Sequence, residues 1–123
     1  MLRLAGYSDA DARAAKVFAL EMALAESHAT REVSADVLKA NNVWTAKDFA
    51  AKAPGMDWNT FFKAAKLGDQ SKFIVWHPGA MKGAAALVAS TDIATWKDYL
   101  AFHRVNHFAP MLAKSFVDQR FEF

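Results

Sequence analysis

Apolar residues recur at helical spacing from the start of the chain. Val17, Leu20 and Leu24 lie three and four positions apart, so their side chains share one face of a helix. This spacing predicts a first helix from Ser8 to about Thr30.

Helix-starting motifs divide the rest of the chain. The pattern Ser/Thr-x-x-Asp, which lets two side chains satisfy free backbone N–H groups, begins at Ser8, Thr45 and Thr95. Asp57 is a further N-cap, and Pro78 suits a first helical turn. These signals predict helices over residues 32–39, 45–52, 58–67, 78–90 and 95–110, with a last turn over 112–120.

Three glycines have predicted roles in these helices. Gly68 is expected to end the helix over residues 58–67, since glycine readily adopts the left-handed conformation that closes many helices. Gly79 and Gly83 lie inside a helix, where the missing side chain would let another helix approach closely.

The run KFIVW, residues 72–76, is the one strand-like segment, because β-branched and aromatic residues dominate it. A strand without a partner leaves its backbone groups unpaired. KFIVW is therefore either not a true strand or pairs with something outside this sequence. We predict an all-α fold, a bundle of short and medium helices with one short isolated strand near residues 72–76.

Residues 1–123 are expected to form a single helical domain, since no repeat, low-complexity segment or linker interrupts them. The two aromatics in the closing Phe121-Glu122-Phe123, like the unpaired strand, suggest a piece of something larger.

Of the 123 residues, 54% are hydrophobic, and the net charge is +2. Basic residues are interleaved with acidic ones and do not form a basic face, and no apolar run approaches the ~18 residues of a membrane span. Neither a nucleic acid nor a membrane is a predicted partner.

His103 and His107 lie four residues apart, the spacing at which two imidazoles on one helix can bind zinc. In zinc peptidases a glutamate beside the first histidine acts as the general base, but Arg104 occupies that position here. The expected alternative is a row of packed residues that lines a core or groove, made of Ile93, Trp96, Leu100, His103 and His107. No metal ligand, cofactor site or catalytic residue is assigned.

Some residues remain weak catalytic candidates if the chain is active alone. His103 and His107 are the first choice, because histidine titrates near neutral pH, and Asp98, Tyr99 or His77 would assist them. His28 and Glu32 are expected to form only a solvated ion pair, with Glu26 nearby. The tryptophans are expected to anchor the core; they are Trp44, Trp58, Trp76 and Trp96.

The ordered string carries more information than these spacings. The segments LAGYSDADARA (residues 4–14), ATWKDYLAFH (94–103) and LAKSFVDQRFEF (112–123) stand in an order that resembles bacterial neprilysin-like zinc metallopeptidases. The resemblance covers nearly the whole chain and falls in their non-catalytic helical region. It departs locally at HPG (77–79) and in the histidine-rich HRVNHFAPML (103–112).

The resemblance implies part of the helical lobe that closes over the catalytic lobe and limits access to a substrate chamber. The family's zinc-binding and substrate-aligning motifs have no match here, so none of its site residues transfers to this chain. Zinc would belong to the parent enzyme alone, whose relatives act mainly in the periplasm or outside the cell. The missing catalytic lobe is the implied partner.

Three functions therefore stand as hypotheses. The first is a structural segment of such a peptidase that is not an enzyme by itself. The second is a free-standing small protein with hydrolytic activity in an exposed groove that contains His103 and His107. The third is an interaction module that self-associates, through pairing of KFIVW or exchange of helices.

Overall fold

A computed structural model of the protein describes residues 1–122. Phe123, which closes the aromatic ending noted above, lies outside the described residues. The elements in this part of the chain are α1 (Ala10–Glu26), α2 (Arg31–Ala35), α3 (Val37–Ala40), β1 (Asn42–Trp44), α4 (Ala46–Lys52), α5 (Trp58–Ala64), β2 (Phe73–Val75), α6 (Pro78–Ser90), α7 (Ile93–Phe108), a 3₁₀ turn (Ala109–Met111) and α8 (Lys114–Phe121). The fold is mainly α, as predicted. Within residues 1–122, no helix is both long and apolar enough to cross a membrane.

The chain divides into two compact units. The first unit contains Met1–Glu21 and the chain from Thr91 onward, and the second contains Met22–Ser90. The single domain expected from the sequence stays a prediction.

Phe49 is the centre of the second unit's core. Its ring lies 4.9–5.4 Å, between centroids, from the rings of Trp44, Trp58, Phe62 and Phe73. The indole N–H of Trp58 donates to the carbonyl of Ala53 at 2.7 Å, so the buried polar atom of this ring is satisfied. The predicted anchoring role holds for Trp44 and Trp58, while Trp76 is about half exposed.

The predicted strand exists, but it is not isolated. β2 pairs antiparallel with β1, and Trp44 lies opposite Phe73 in the ladder. The expectation of a partner outside the sequence is therefore wrong. β1 has only three residues, too few to show alternation, and it lies between the helices that the sequence predicted over residues 32–39 and 45–52.

Some of the predicted helix starts are confirmed by the structure and others are not. At Thr45 both bonds of the capping box form: the backbone N–H of Asp48 donates to the Thr45 hydroxyl, and that of Thr45 donates to the Asp48 carboxylate. Asp57 is also an N-cap, and Pro78 begins α6. All three confirm the sequence-based assignment.

The capping boxes predicted at Ser8 and Thr95 do not form. α1 begins at Ala10, after Asp9 in a left-handed conformation (φ 50°), and the carboxylate of Asp11 accepts from Arg3 instead of capping. α7 begins two residues earlier than predicted, because Asp92 accepts from the backbone N–H and the hydroxyl of Thr95.

The C-terminal end of α5 also differs from the prediction. The helix ends at Ala64, and Lys66 takes the left-handed conformation (φ 57°) that was assigned to Gly68. The Leu67 N–H donates to the carbonyl of Phe62 at 2.8 Å and the Lys66 N–H to that of Lys63 at 3.1 Å, which is the Schellman pattern.

Gly83 of α6 allows a close approach, as predicted, but the approaching segment is the turn that follows α1 and not another helix. A Cβ atom at position 83 would lie 2.2 Å from the Cβ atom of Ser27, and one at Gly79 would lie 3.3 Å from the Ser27 carbonyl oxygen. A side chain at position 83 therefore cannot be accommodated unless the backbone moves.

We expect Gly83→Ala to lower the free energy of unfolding by about 1 kcal/mol or more, because overpacking outweighs the better helix propensity of alanine. Denaturant unfolding measures the change. Gly68→Ala is the control, because a Cβ atom there meets nothing within 4 Å. The double variant Ser27→Gly/Gly83→Ala should recover stability, and a Gly83→Ala protein that is more stable than the parent would contradict the packing.

The capping box of α4 predicts a pH dependence. A hydrogen bond from Lys52 is the largest cause that lowers the pKa of Asp48, followed by the Thr45 backbone N–H and hydroxyl. Because the folded pKa lies below the unfolded value of about 3.9, this carboxylate stabilises the fold above that pH. The stabilisation is lost as the pH falls through the folded pKa.

We expect Asp48→Asn to flatten the decline in stability below about pH 4, and Lys52→Met to flatten it in part. Urea unfolding at several pH values between about 3 and 7 measures both slopes. An Asp48→Asn variant with the slope of the parent would show that this carboxylate has no such role.

Candidate functional site

α7 of the first unit carries most of the candidate site residues. Asp98 lies on its buried side, with 5% of its surface exposed, and both of its carboxylate oxygens accept from Nη1 of Arg13, at 2.8 and 3.0 Å. Arg13 also donates from Nε to the Ser8 carbonyl and lies 5.6 Å from the Tyr7 ring centroid. Asp98 is thus engaged by Arg13 and is not a partner of a histidine.

His103 has a different carboxylate partner. Its Nε2 lies 2.8 Å from Oε1 of Glu21 on α1, and both side chains are partly exposed. The ring of Tyr99 lies 4.4 Å from the imidazole, between centroids. The structure therefore brings together His103, Tyr99 and Glu21, a residue that sequence reasoning missed.

His107 and His77 do not join this group. His107 is exposed and lies edge-on against the ring of Phe108, at 4.9 Å between centroids. His77 belongs to the second unit, where its carbonyl accepts from the Met81 N–H in the first turn of α6. The ion pair expected between His28 and Glu32 is not formed among residues 1–122. The pKa of Glu32 is lowered by its own backbone N–H and then by the Thr30 side chain, as at a helix N-terminus.

The row of α7 residues that was expected to pack together does not line a core. Ile93 and Leu100 are 69% and 63% exposed, and His103 and His107 are exposed as well. Trp96 alone is partly buried, and its Nε1 lacks a hydrogen-bond partner among residues 1–122. Ile93 and Leu100 face solvent because Asp98 occupies the buried side of the helix.

A histidine held by a carboxylate can accept a proton, so the His103–Glu21 pair has the chemistry of a general base. A zinc site needs at least three protein ligands directed at one point. No group of three or more His, Cys, Asp or Glu side chains in the described part of the chain could hold a metal. These residues therefore do not fit a zinc ion.

Comparison with known proteins supplies the family. The model of the N-terminal domain of peptidase family M13 matches residues 1–123. The chain belongs to peptidase family M13, and it corresponds to a segment of that family's N-terminal lobe. This confirms the resemblance seen in the sequence. No curated protein sequence matches it significantly.

Two solved structures of the Mycobacterium tuberculosis zinc metalloprotease Zmp1 are similar to the chain. The open state matches with a TM-score of 0.81 and 25% identity over 89% of this chain. The complex with an inhibitor matches with a TM-score of 0.80 and 27% identity over 90% of this chain. In both cases the matched region is 17% of the Zmp1 chain, so this chain spans about one sixth of the relative's length.

The two ion pairs of α7 differ in burial, which predicts different energies. We expect Asp98→Asn to lower the free energy of unfolding by about 3 kcal/mol, the lower end of the range for losing one partner of a buried pair, since Arg13 stays partly exposed. His103→Ala should cost less than about 1 kcal/mol, because its pair with Glu21 is partly exposed.

Denaturant unfolding of the two variants measures this difference. Asp11→Asn is the control for Asp98→Asn, since it makes the same chemical change in the exposed pair with Arg3. Equal effects of Asp98→Asn and Asp11→Asn would contradict a structural role for the buried pair.

Proposed function

We propose that this chain is a non-catalytic segment of an M13 metallopeptidase, which contributes to the wall of the substrate chamber and is not a peptidase by itself. The observation that carries the proposal is the match of the family's N-terminal domain model to all 123 residues. The similarity to one sixth of Zmp1, at TM-scores of 0.81 and 0.80, supports it.

The chemistry of the α7 residues agrees with this role. The Nε2 atom of His103 is directed at Glu21, and the carboxylate of Asp98 is occupied by Arg13, so neither side chain is arranged as a zinc ligand. In this proposal zinc is bound by other parts of the peptidase, which also provide the partner surface for this segment.

The test is a peptide hydrolysis assay on the purified chain, with added zinc and with a chelator. We expect no zinc-dependent turnover. Full-length Zmp1, assayed beside it, is the positive control. The proposal would be contradicted if the unmodified chain showed turnover that a chelator abolishes and zinc restores. The variant His103→Ala/His107→Ala would then have to show no such turnover.

A metal-independent hydrolytic activity is the second candidate function, and the 2.8 Å contact between His103 and Glu21 favours it. An acid that orients an imidazole is a common arrangement for activating water or a hydroxyl nucleophile. If this candidate is right, ester, phosphate or glycoside reporters are turned over in the presence of chelator. The activity then falls in His103→Ala and in Glu21→Gln but not in the control His28→Ala.

A further inference from the structure

The solvent-facing side of α7 has a regular pattern that the proposed function does not use. Exposed residues three and four positions apart form one stripe along the helix, and apolar and basic side chains alternate along its first part; the stripe consists of Ile93, Lys97, Leu100, Arg104 and His107, followed by Met111 in the 3₁₀ turn. At about 100° per residue, the five helical members lie within roughly 40° of one line.

The stripe combines apolar surface with unopposed positive charge. Ile93, Leu100 and Met111 are 69%, 63% and 82% exposed, which is unusual for large aliphatic side chains that recur along one line. Neither Lys97 nor Arg104 forms an ion pair with another residue among 1–122, and the Arg104 guanidinium lies over the Phe108 ring at 5.4 Å.

No acidic residue lies on the stripe. The one acid within α7, Asp98, lies roughly 140° around the helix from Ile93 and is paired with Arg13. This face therefore attracts negative charge at Lys97 and Arg104, which alternate with its apolar residues.

We propose that this face of α7 docks an acidic amphipathic helix of another polypeptide. Two helices pack side by side when apolar residues repeat every three to four positions, and charged residues that flank the seam select the partner. The stripe from Ile93 to His107 extends over roughly 21 Å at 1.5 Å per residue, which matches about four turns of a partner helix. A partner with leucine in the seam and glutamate beside it complements both features.

The width of the stripe distinguishes this partner from a lipid surface. A helix that lies in a membrane interface buries a broad apolar face, with its basic residues on the opposite, polar face. Here the apolar part is about one residue wide, and Lys97 and Arg104 alternate within it. Anionic vesicles are therefore the competing outcome in the test.

The test measures binding of the whole chain to a synthetic 21-residue helical peptide with leucine in the seam and glutamate at the flanking positions. Fluorescence anisotropy of the labelled peptide gives the affinity. A peptide with lysine in place of each glutamate is the first control. We expect binding of the acidic peptide only, with affinity that falls as salt is added.

The variant Lys97→Glu/Arg104→Glu should weaken binding at least roughly tenfold, because it places like charges across the seam. Lys47→Glu/Lys82→Glu is the matched control, since it makes the same change in net charge on exposed residues of α4 and α6. Leu100→Ser tests the apolar contribution, and circular dichroism checks that each variant is folded.

Three results would overturn the inference: no binding of the acidic peptide, equal binding of the lysine peptide, or equal loss of affinity in both double variants. Binding to phosphatidylserine vesicles without binding to the acidic peptide would assign the face to a membrane instead. Because the test measures binding and not hydrolysis, its failure leaves the proposed function untouched.

Discussion

The ion pair between Arg13 and Asp98 is the contact on which the first unit depends. Asp98 is the only acid within α7, and its burial against α1 fixes which side of that helix faces inward. A carboxylate removed from water needs a partner that makes more than one hydrogen bond, and the two bonds from Nη1 of Arg13 meet that need. Once Asp98 faces inward, Ile93, Leu100 and His107 lie on the other side of the helix and face solvent.

Local chemistry could be predicted from the sequence where its partners are close along the chain. The box at Thr45 and Asp48 closes within three residues, and it forms as the motif predicts. The same motif fails at Ser8 because Asp11 has a second option, the guanidinium of Arg3. At Thr95 a competing acid, Asp92, stands three residues earlier and caps the helix first. Where the motif fails, one of its side chains has taken a different partner: Asp11 pairs with Arg3, and the Thr95 hydroxyl donates to Asp92.

Contacts between distant residues could not be predicted in this way. Glu21 is separated from His103 by 82 positions, and no periodicity connects them. The same holds for β1, which has three residues and is recognised as a strand only by its pairing with β2. The family, in contrast, was visible in the sequence, because it rests on the order of many residues and not on the orientation of a few.

The pairing of β1 with β2 also constrains the order of folding. The two strands enclose residues 45–72, which contain α4 and α5, so the sheet forms only when both ends of this segment meet. Closing a flexible loop of that length costs on the order of 3 kcal/mol, more than a three-residue ladder can offset alone. Phe49 in α4 and Phe62 in α5 contact each other and also contact Phe73 of β2, so their packing shortens the distance that the chain must close. We therefore expect the sheet to form after α4 and α5 have packed around the ring of Phe49.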